Sequence, residues 1–377
     1  MKRIFTLIVT FSMILTLFSC NKVIMDENNQ IEDQTNEKDD NFIIDGTYHF
    51  TADKLYELSD ENETTNLSLE DGLMGLINQN NSGIYQSKAL KVVAFKELVL
   101  SFNLREVIDG SVMLFVAVGN ESEFSSFYTM GTWLNGKYRS SSNQNDDFAK
   151  VNIDTLINRE VSNEFIKIKV VINPGETSKL KNITITTKKV DDTFNYNESD
   201  LIEKVLQVPE IAQLSIPKIG NLICSPTSIT MVLNYYGNNL DVVEVASYVL
   251  DTTTNIYGNW SFNVSYAGSF EGLIGYVQYI NDIKDVVNYI KEDIPVVFSI
   301  STKEKSDLEG SIMAYPAGHL IVLVGFEKIN NEWYGVFNDP AEYENNKVLR
   351  KYPIKQVLDA WKLYSYVIKK GWTNGKT

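Results

Sequence analysis

Short runs of β-branched and aromatic residues dominate the first half of the chain. Several alternate apolar and polar positions, for example at residues 97–102 and 166–172, and this spacing buries one face of a strand. Asp-Gly, Gly-Asn and Pro-Gly pairs separate the runs and favour turns. Helical spacing interrupts them only around residues 67–77. The pattern therefore predicts an all-β sandwich over residues 46–195.

The pattern changes near residue 200, where helix-like and strand-like stretches are mixed. The helix-like stretches are residues 227–236, 242–249 and 283–290, and the strand-like stretches are residues 296–300, 320–326 and 333–337. A mixture of this kind predicts an α+β domain over residues 200–372, with the boundary near 191–205.

Residues 1–20 have the pattern of an export signal. Lys2 and Arg3 precede an apolar run over residues 4–18 that is short for a membrane span. The run ends in Leu17-Phe18-Ser19-Cys20, which resembles the bacterial lipobox. In that signal the cysteine becomes the lipidated first residue of the mature protein. We therefore expect Cys20 to carry a lipid anchor and the folded part to lie outside the cytoplasmic membrane. The alternative is an ordinary cleaved signal with an incidental cysteine.

Residues 21–45 are polar and acidic with few apolar positions, so they predict a disordered tether between anchor and folded body. The whole chain of 377 residues carries a formal charge of −15. That charge argues against a nucleic-acid partner and against adsorption to an anionic membrane surface. We expect membrane contact through the lipid anchor only.

The chain has two cysteines, and the second one has the context of a reactive thiol. If Cys20 is acylated, Cys224 has no disulfide partner in an oxidising compartment. Pro226 suits the first turn of a helix, apolar residues follow, and Gly237 marks the helix end. Cys224 is thus predicted at a helix N-terminus, where the dipole favours the thiolate. The alternative is a small buried apolar side chain.

A thiolate nucleophile needs a base, and the predicted α+β domain contains one histidine. Of the two histidines, His49 lies in the first domain, whereas His319 begins the apolar run at residues 319–326. Asp339 follows a strand-like run at residues 336–338, and an antiparallel return would bring it to the His319 end. A carboxylate there would orient the imidazole. The alternatives are a structural histidine and a simple turn at Asp339.

Five motifs, taken together in this order, carry a resemblance to a known family. They are Gln213, Asn221-Leu222-Ile223-Cys224-Ser225-Pro226-Thr227-Ser228, Asn234-Tyr235-Tyr236-Gly237, Gly318-His319-Leu320-Ile321-Val322-Leu323-Val324-Gly325 and Asn338-Asp339-Pro340. They resemble the papain-like peptidases related to the bacteriocin-leader-processing peptidases, family thirty-nine of the cysteine peptidases. The resemblance implies a papain-like cysteine peptidase fold, with Cys224 as nucleophile and His319 as general base and acid. It also implies that Asp339 orients the imidazole and that Gln213 and the Cys224 backbone N–H donate to the oxyanion.

Two further residues near these motifs are candidates for substrate contact. Ser225 stands where many members of the family have glycine, and its side chain would restrict how closely a substrate backbone approaches. Trp260 lies in a Gly-x-Trp segment between nucleophile and base and is a candidate for lining the cleft, although such an aromatic is more often part of the core. Leader-processing members are usually fused to a membrane transporter, so cleavage of double-glycine leaders is not carried over.

The first domain has a fainter resemblance to the β-sandwich that precedes the peptidase domain in some exported members. Four segments carry it: Ser126-Phe127-Tyr128-Thr129-Met130-Gly131-Thr132-Trp133, Arg139-Ser140-Ser141, Gln144-Asn145-Asp146 and Asp154-Thr155-Leu156. Exposed on a sandwich, Tyr128 and Trp133 would stack on sugars or polypeptide. The favoured interpretation is that they pack the core or the domain interface.

Taken together, the sequence predicts a surface-anchored thiol hydrolase. It would be a cysteine peptidase that cleaves amide bonds in a peptide or protein substrate, cell-wall peptide included, through an acyl-enzyme. We expect no cofactor and no metal, because Cys and His ligands are too few. The alternatives are a non-catalytic surface binding lipoprotein on a degenerate scaffold, and an acyltransferase or cell-wall amidase using the same three residues. The sequence leaves the oligomeric state open.

Overall fold

The computed structural model describes residues 42–105, 109–134, 138–175 and 179–371. The predicted export signal, with Cys20, and nearly all of the predicted tether lie outside this range. The described residues belong to a compact unit that begins at Phe42. Within that range no helix has both the length and the apolar character needed to cross a bilayer. The protein is mostly β-sheet with a few helices.

The N-terminal part, residues 42–189, contains strands and one short helix. They are β1 (Ile43–Ile44), β2 (Thr47–Thr51), α1 (Ala52–Glu57), β3 (Leu67–Glu70), β4 (Leu73–Leu76), β5 (Gly83–Gln86), β6 (Leu90–Val92), β7 (Phe95–Leu104), β8 (Ser111–Gly119), β9 (Tyr128–Leu134), β10 (Arg139–Ser140), β11 (Gln144–Asn145), β12 (Ala149–Asn152), β13 (Thr155–Asn158), β14 (Phe165–Asn173) and β15 (Leu180–Lys189). One sheet has the order β1-β6-β14-β8-β9-β10, with β5 also paired to β14. The other has the order β11-β12-β13-β7-β15-β4-β3, with β2 also paired to β15.

Two local details of this part differ from the sequence expectation. The first strand begins at Ile43, before the predicted start at residue 46. This strand pairs with β6, and its Ile44 side chain is fully buried. Residues 67–77, which have helical spacing, form the hairpin β3–β4 instead. Asp71 and Gly72 both have positive φ, 51° and 68°, and two such residues make the tight turn that a two-residue hairpin requires.

The C-terminal part, residues 204–370, contains the third sheet and five α-helices among its described residues. Its elements are β16 (Lys204–Val205), α2 (Cys224–Tyr235), α3 (Val242–Val249), α4 (Trp260–Ser269), β17 (Leu273–Tyr279), α5 (Ile283–Lys291), β18 (Val296–Ile300), β19 (His319–Ile329), β20 (Glu332–Asn338), β21 (Leu349–Pro353), α6 (Ile354–Ala360) and β22 (Trp361–Lys370). The sheet order is β17-β22-β18-β19-β20-β21, with β16 also paired to β19. Its strands pair antiparallel.

Polar side chains of β7 and β15 join the two parts in a buried interface. Asn103 of β7 donates to the Gly275 carbonyl at 2.8 Å and accepts from the Gly275 N–H at 3.0 Å. Ser101 accepts from the Val277 N–H at 2.9 Å, and Thr186 of β15 donates to the Val277 carbonyl at 2.6 Å. These bonds satisfy backbone groups of β17 that burial would otherwise leave unpaired. Strand β7 is therefore buried on both faces.

Candidate active site

Three polar side chains from separate elements converge at one end of the third sheet. Cys224 is the first residue of α2, His319 is the first residue of β19, and Asp339 directly follows β20. Because β19 and β20 are antiparallel neighbours, the chain returns from β20 toward His319. His319 Nε2 lies 2.7 Å from Asp339 Oδ1. The structure thus brings together the three residues that the sequence motifs single out.

The Cys224 sulfur lies close enough to the His319 ring and to the backbone N–H groups of Leu320 and Ser225 for each of them to act on its pKa. Burial alone would raise the pKa of this thiol, but the His319 hydrogen bond and charge, together with the two N–H groups, lower the pKa overall. Cys224 is also the first residue of α2, and no side chain caps this helix start. The positive end of the helix dipole therefore favours the thiolate as well. Cys224 is half-buried, and its position leaves it open to solvent in part.

The imidazole is held in its charged form by the groups on either side of it. Burial would lower the pKa of His319, but the charge and hydrogen bond of Asp339, and then those of Cys224, raise the pKa overall. For Asp339, burial acts to raise the pKa, but the His319 charge outweighs burial and lowers the pKa below its ordinary value. These shifts favour a thiolate and an imidazolium beside a carboxylate, which is the arrangement that nucleophilic thiol catalysis uses.

Two tyrosines that the motifs do not mark complete the surroundings of Asp339. Tyr352 and Tyr315 donate to its Oδ2 at 2.6 Å and 3.2 Å, and the Ala341 N–H donates to Oδ1 at 3.0 Å. The Tyr315 ring also stacks on the His319 ring, with centroids 4.0 Å apart and planes at 16°. Tyr315 is four residues from His319 in the sequence. Neither tyrosine belongs to a periodic pattern that indicates a contact with Asp339.

Gln213 lies beside the loop that carries Asp339. Its backbone N–H donates to the Pro340 carbonyl at 2.8 Å, and its Nε2 donates to the Gly220 carbonyl at 2.7 Å. The Oε1 atom is buried and has no hydrogen-bond partner among the described residues. An amide nitrogen has two hydrogens, so one remains for another acceptor. The oxyanion role of Gln213 stays a prediction.

The two candidates for substrate contact have different surroundings. Ser225 is fully buried, and its hydroxyl is 2.9 Å from the Tyr366 hydroxyl. A substrate contact at Ser225 would therefore come from the backbone. Trp260 is half-buried, with its ring centroid 5.0 Å from that of Tyr364. Both substrate-contact roles stay predictions.

The aromatic residues of the first domain pack inside the protein and are not exposed. Trp133 and Tyr128 are 4% and 3% exposed. Trp133 contacts the rings of Phe102 and Phe262, and Tyr128 donates to the carboxylate of Asp146. The packing interpretation is therefore confirmed, and these two residues form no exposed stacking surface. Among the described residues, no group of three or more His, Cys, Asp or Glu side chains is placed to hold a metal ion.

Two family models match the chain, one for each part. Residues 205–369 match the Peptidase_C39 like family, and residues 45–186 match the Peptidase C39 N-terminal domain. Together these matches show that the chain is related to the C39-like, papain-like cysteine peptidases. None of the curated proteins matches the chain.

Several solved structures resemble the chain at low identity. A double glycine motif protease from an AMS/PCAT transporter, solved with the leader peptide, is 19% identical; the match covers 45% of this chain and 97% of that one, with a TM-score of 0.31. A putative C39-like peptidase from Bacillus anthracis is 17% identical, with 46% and 100% covered and a TM-score of 0.34.

Proposed function

We propose that this chain is a thiol hydrolase, a cysteine peptidase that cleaves amide bonds in a peptide or protein substrate through Cys224, His319 and Asp339. Its third sheet and α2 would form a papain-like arrangement, and its two N-terminal sheets would form a sandwich. The observation that carries the proposal is the His319 ring, which is hydrogen-bonded to Asp339 at 2.7 Å and acts electrostatically on the half-buried Cys224 sulfur.

The geometry supports a defined order of steps. Because Nε2 of His319 is bound to Asp339, Nδ1 is the nitrogen left for the sulfur. The thiolate would attack the substrate carbonyl carbon, and the oxyanion would accept from the Cys224 N–H and from the second Nε2 hydrogen of Gln213. His319 would then protonate the leaving amine from Nδ1, which leaves a thioester. A water deprotonated by His319 would hydrolyse that thioester and release the acid and the thiolate.

The first experiment measures the reactivity of the thiol. In a full-chain Cys20→Ser protein, Cys224 is the only thiol. We expect iodoacetamide to alkylate it rapidly at pH 6, and we expect His319→Ala to slow that reaction by about two orders of magnitude. His49→Gln, which alters the other histidine, should leave the rate unchanged. Alkylation at the rate of an ordinary thiol, insensitive to His319, would instead indicate a binding scaffold.

Product analysis separates hydrolysis from acyl transfer. Incubation with a peptide mixture should generate new amino termini in the intact protein and none in Cys224→Ala. Products acylated on an added amine would point to a transferase, and release of peptides from peptidoglycan alone would point to a cell-wall amidase.

We also propose that the protein is an exported lipoprotein anchored through Cys20, and this rests on the sequence of residues 1–20 alone. Metabolic labelling with a fatty acid should mark the wild-type protein and not the Cys20→Ala variant.

A further inference from the structure

A cluster of aromatic rings lies where the two parts of the protein meet. We call it the junction patch and define it as Trp260, Tyr279, Tyr364, Glu97 and Lys188. The Tyr364 ring centroid is 5.0 Å from that of Trp260 and 5.1 Å from that of Tyr279. Tyr364 is buried, whereas Trp260 and Tyr279 are half-buried, so their rings remain in part open to solvent.

The N-terminal part supplies the charged members of the junction patch. The Tyr364 hydroxyl donates to Glu97 Oε2 at 2.9 Å, and Lys188 Nζ lies 3.1 Å from Glu97 Oε1. Lys188 Nζ is also 5.6 Å from the centre of the Tyr279 ring. Because Glu97 is on β7 and Lys188 is on β15, the patch is complete only when both parts are present.

The strand register places the junction patch on the same face of the third sheet as the nucleophile. Tyr364 and Tyr366 are two residues apart on β22, so their side chains point to the same face. The Tyr366 hydroxyl contacts the hydroxyl of Ser225, the neighbour of Cys224. The aromatic rings and the sulfur therefore share one side of the sheet.

The same register gives the distance between the two sites. Phe298 of β18 pairs with Ile321 of β19 on one side and, on the other, with Ser365 of β22, the neighbour of Tyr364. Two strand spacings separate β19 from β22, which corresponds to about 10 Å. An extended peptide covers that distance in about three residues.

Acidic groups outnumber basic ones around these rings. Asp154 accepts from the Trp260 N–H at 2.5 Å, and Asp192 and Glu97 both act electrostatically on Tyr279. Of the described residues named in these contacts, Lys188 is the one with a positive charge. A planar cation is therefore the side chain that fits best, because guanidinium groups stack on indole and phenol rings and are attracted to carboxylates.

We propose that the junction patch binds an arginine side chain of a peptide substrate, about three residues from the bond that is cleaved. The inference rests on the proposed peptidase function and adds a substrate preference to it. The N-terminal part then contributes directly to specificity, since it supplies Glu97, the carboxylate of the junction patch.

The test compares peptides that differ at one position. A mixed peptide library first locates the cleaved bond for the full chain. Matched peptides with arginine, alanine or phenylalanine at the third residue on either side are then assayed. We expect kcat/KM for the arginine peptide to exceed that for the alanine peptide by about tenfold on one side of the bond. Trp260→Leu and Glu97→Gln should each bring this ratio close to one.

Trp333→Leu is the matched control, because Trp333 is also half-buried beside a lysine, Lys328, but lies at the opposite end of β19–β20. It should keep both the activity and the ratio. Cleavage without an arginine preference, a preference for phenylalanine, or a ratio unchanged in both Trp260→Leu and Glu97→Gln would overturn the junction patch and leave the peptidase function standing. Absence of any Cys224-dependent cleavage would overturn both.

Discussion

At the scale of single residues, the candidate site depends on how the His319 ring is held. Asp339 fixes one nitrogen of the ring, and Tyr315 stacks on its face and donates to the same carboxylate. Tyr352 donates to Asp339 as well but is not stacked on the imidazole. We therefore expect Tyr315 to be a positioning residue that acts on the sulfur through His319.

Replacing Tyr315 tests this positioning role. Tyr315→Leu removes both the stacked ring and the hydroxyl, so we expect alkylation of Cys224 at pH 6 to slow by about tenfold as the imidazole turns away from the sulfur. Tyr315→Phe keeps the ring and loses only the 3.2 Å hydrogen bond, and it should recover most of the rate. A Tyr315→Leu protein with the wild-type pH profile of alkylation would exclude the role.

At the scale of secondary-structure elements, the start of α4 is held from both parts of the protein. Asn259 accepts from the Phe262 N–H within the helix, and Asp154 of the N-terminal part accepts from the Trp260 N–H. Asp154 is buried, and burial raises its pKa to about 6 despite the Trp260 and Thr155 hydrogen bonds, which act in the opposite direction. This helix end is therefore sensitive to pH.

The sign of that sensitivity follows from the raised pKa. The contribution of Asp154 to stability is fully present below its ordinary pKa and is lost as pH rises through about 6. Asp154→Asn keeps an acceptor for the Trp260 N–H without the buried charge. We expect it to stabilise the protein at pH 8 by on the order of 2 kcal/mol and to have little effect near pH 4.

Thermal unfolding at the two pH values measures this difference. Asp147→Asn is the control, because Asp147 is an exposed carboxylate in the same part of the chain. If Asp154→Asn lowered the melting temperature at pH 8, the charge itself would be stabilising the start of α4, and the expected sign of the pH dependence would be wrong.

At the scale of the whole molecule, the N-terminal sheets cover one edge of the third sheet. Strands β7 and β15 bond to the backbone of β17 through Ser101, Asn103 and Thr186. Phe262 of α4 packs on Phe102 and Trp133 of the N-terminal part. Separation of the parts would expose these apolar rings and leave buried polar groups unpaired.

We therefore expect residues 200–371 produced alone to aggregate or to lack a cooperative unfolding transition. Residues 42–371 should give a single species with one transition. Circular dichroism and size-exclusion chromatography compare the two proteins. Co-expression of residues 200–371 with residues 42–195 should restore a single folded species. A soluble, cooperatively folded C-terminal piece with the wild-type alkylation rate would show that the interface is dispensable.

Much of the site could be predicted from local sequence. The helix start at Cys224, its end before Gly237, and the strand starting at His319 each follow from short-range patterns that the structure reproduces. Gly237 has a φ of 95°, as a residue that ends a helix often does. Such features depend on a few neighbouring residues, so the sequence alone contains them.

Other features were decided only when distant segments packed together. Alternation by itself would place Ser101 on a solvent face, yet it is buried against β17, 176 positions away along the chain. Tyr315 and Tyr352 become partners of Asp339, and the hydroxyl of Ser225 turns inward to Tyr366. The sequence determined where elements such as α2 and β19 begin and where the reactive groups stand. The tertiary structure determined which side chains meet, because long-range contacts leave no local periodicity to read.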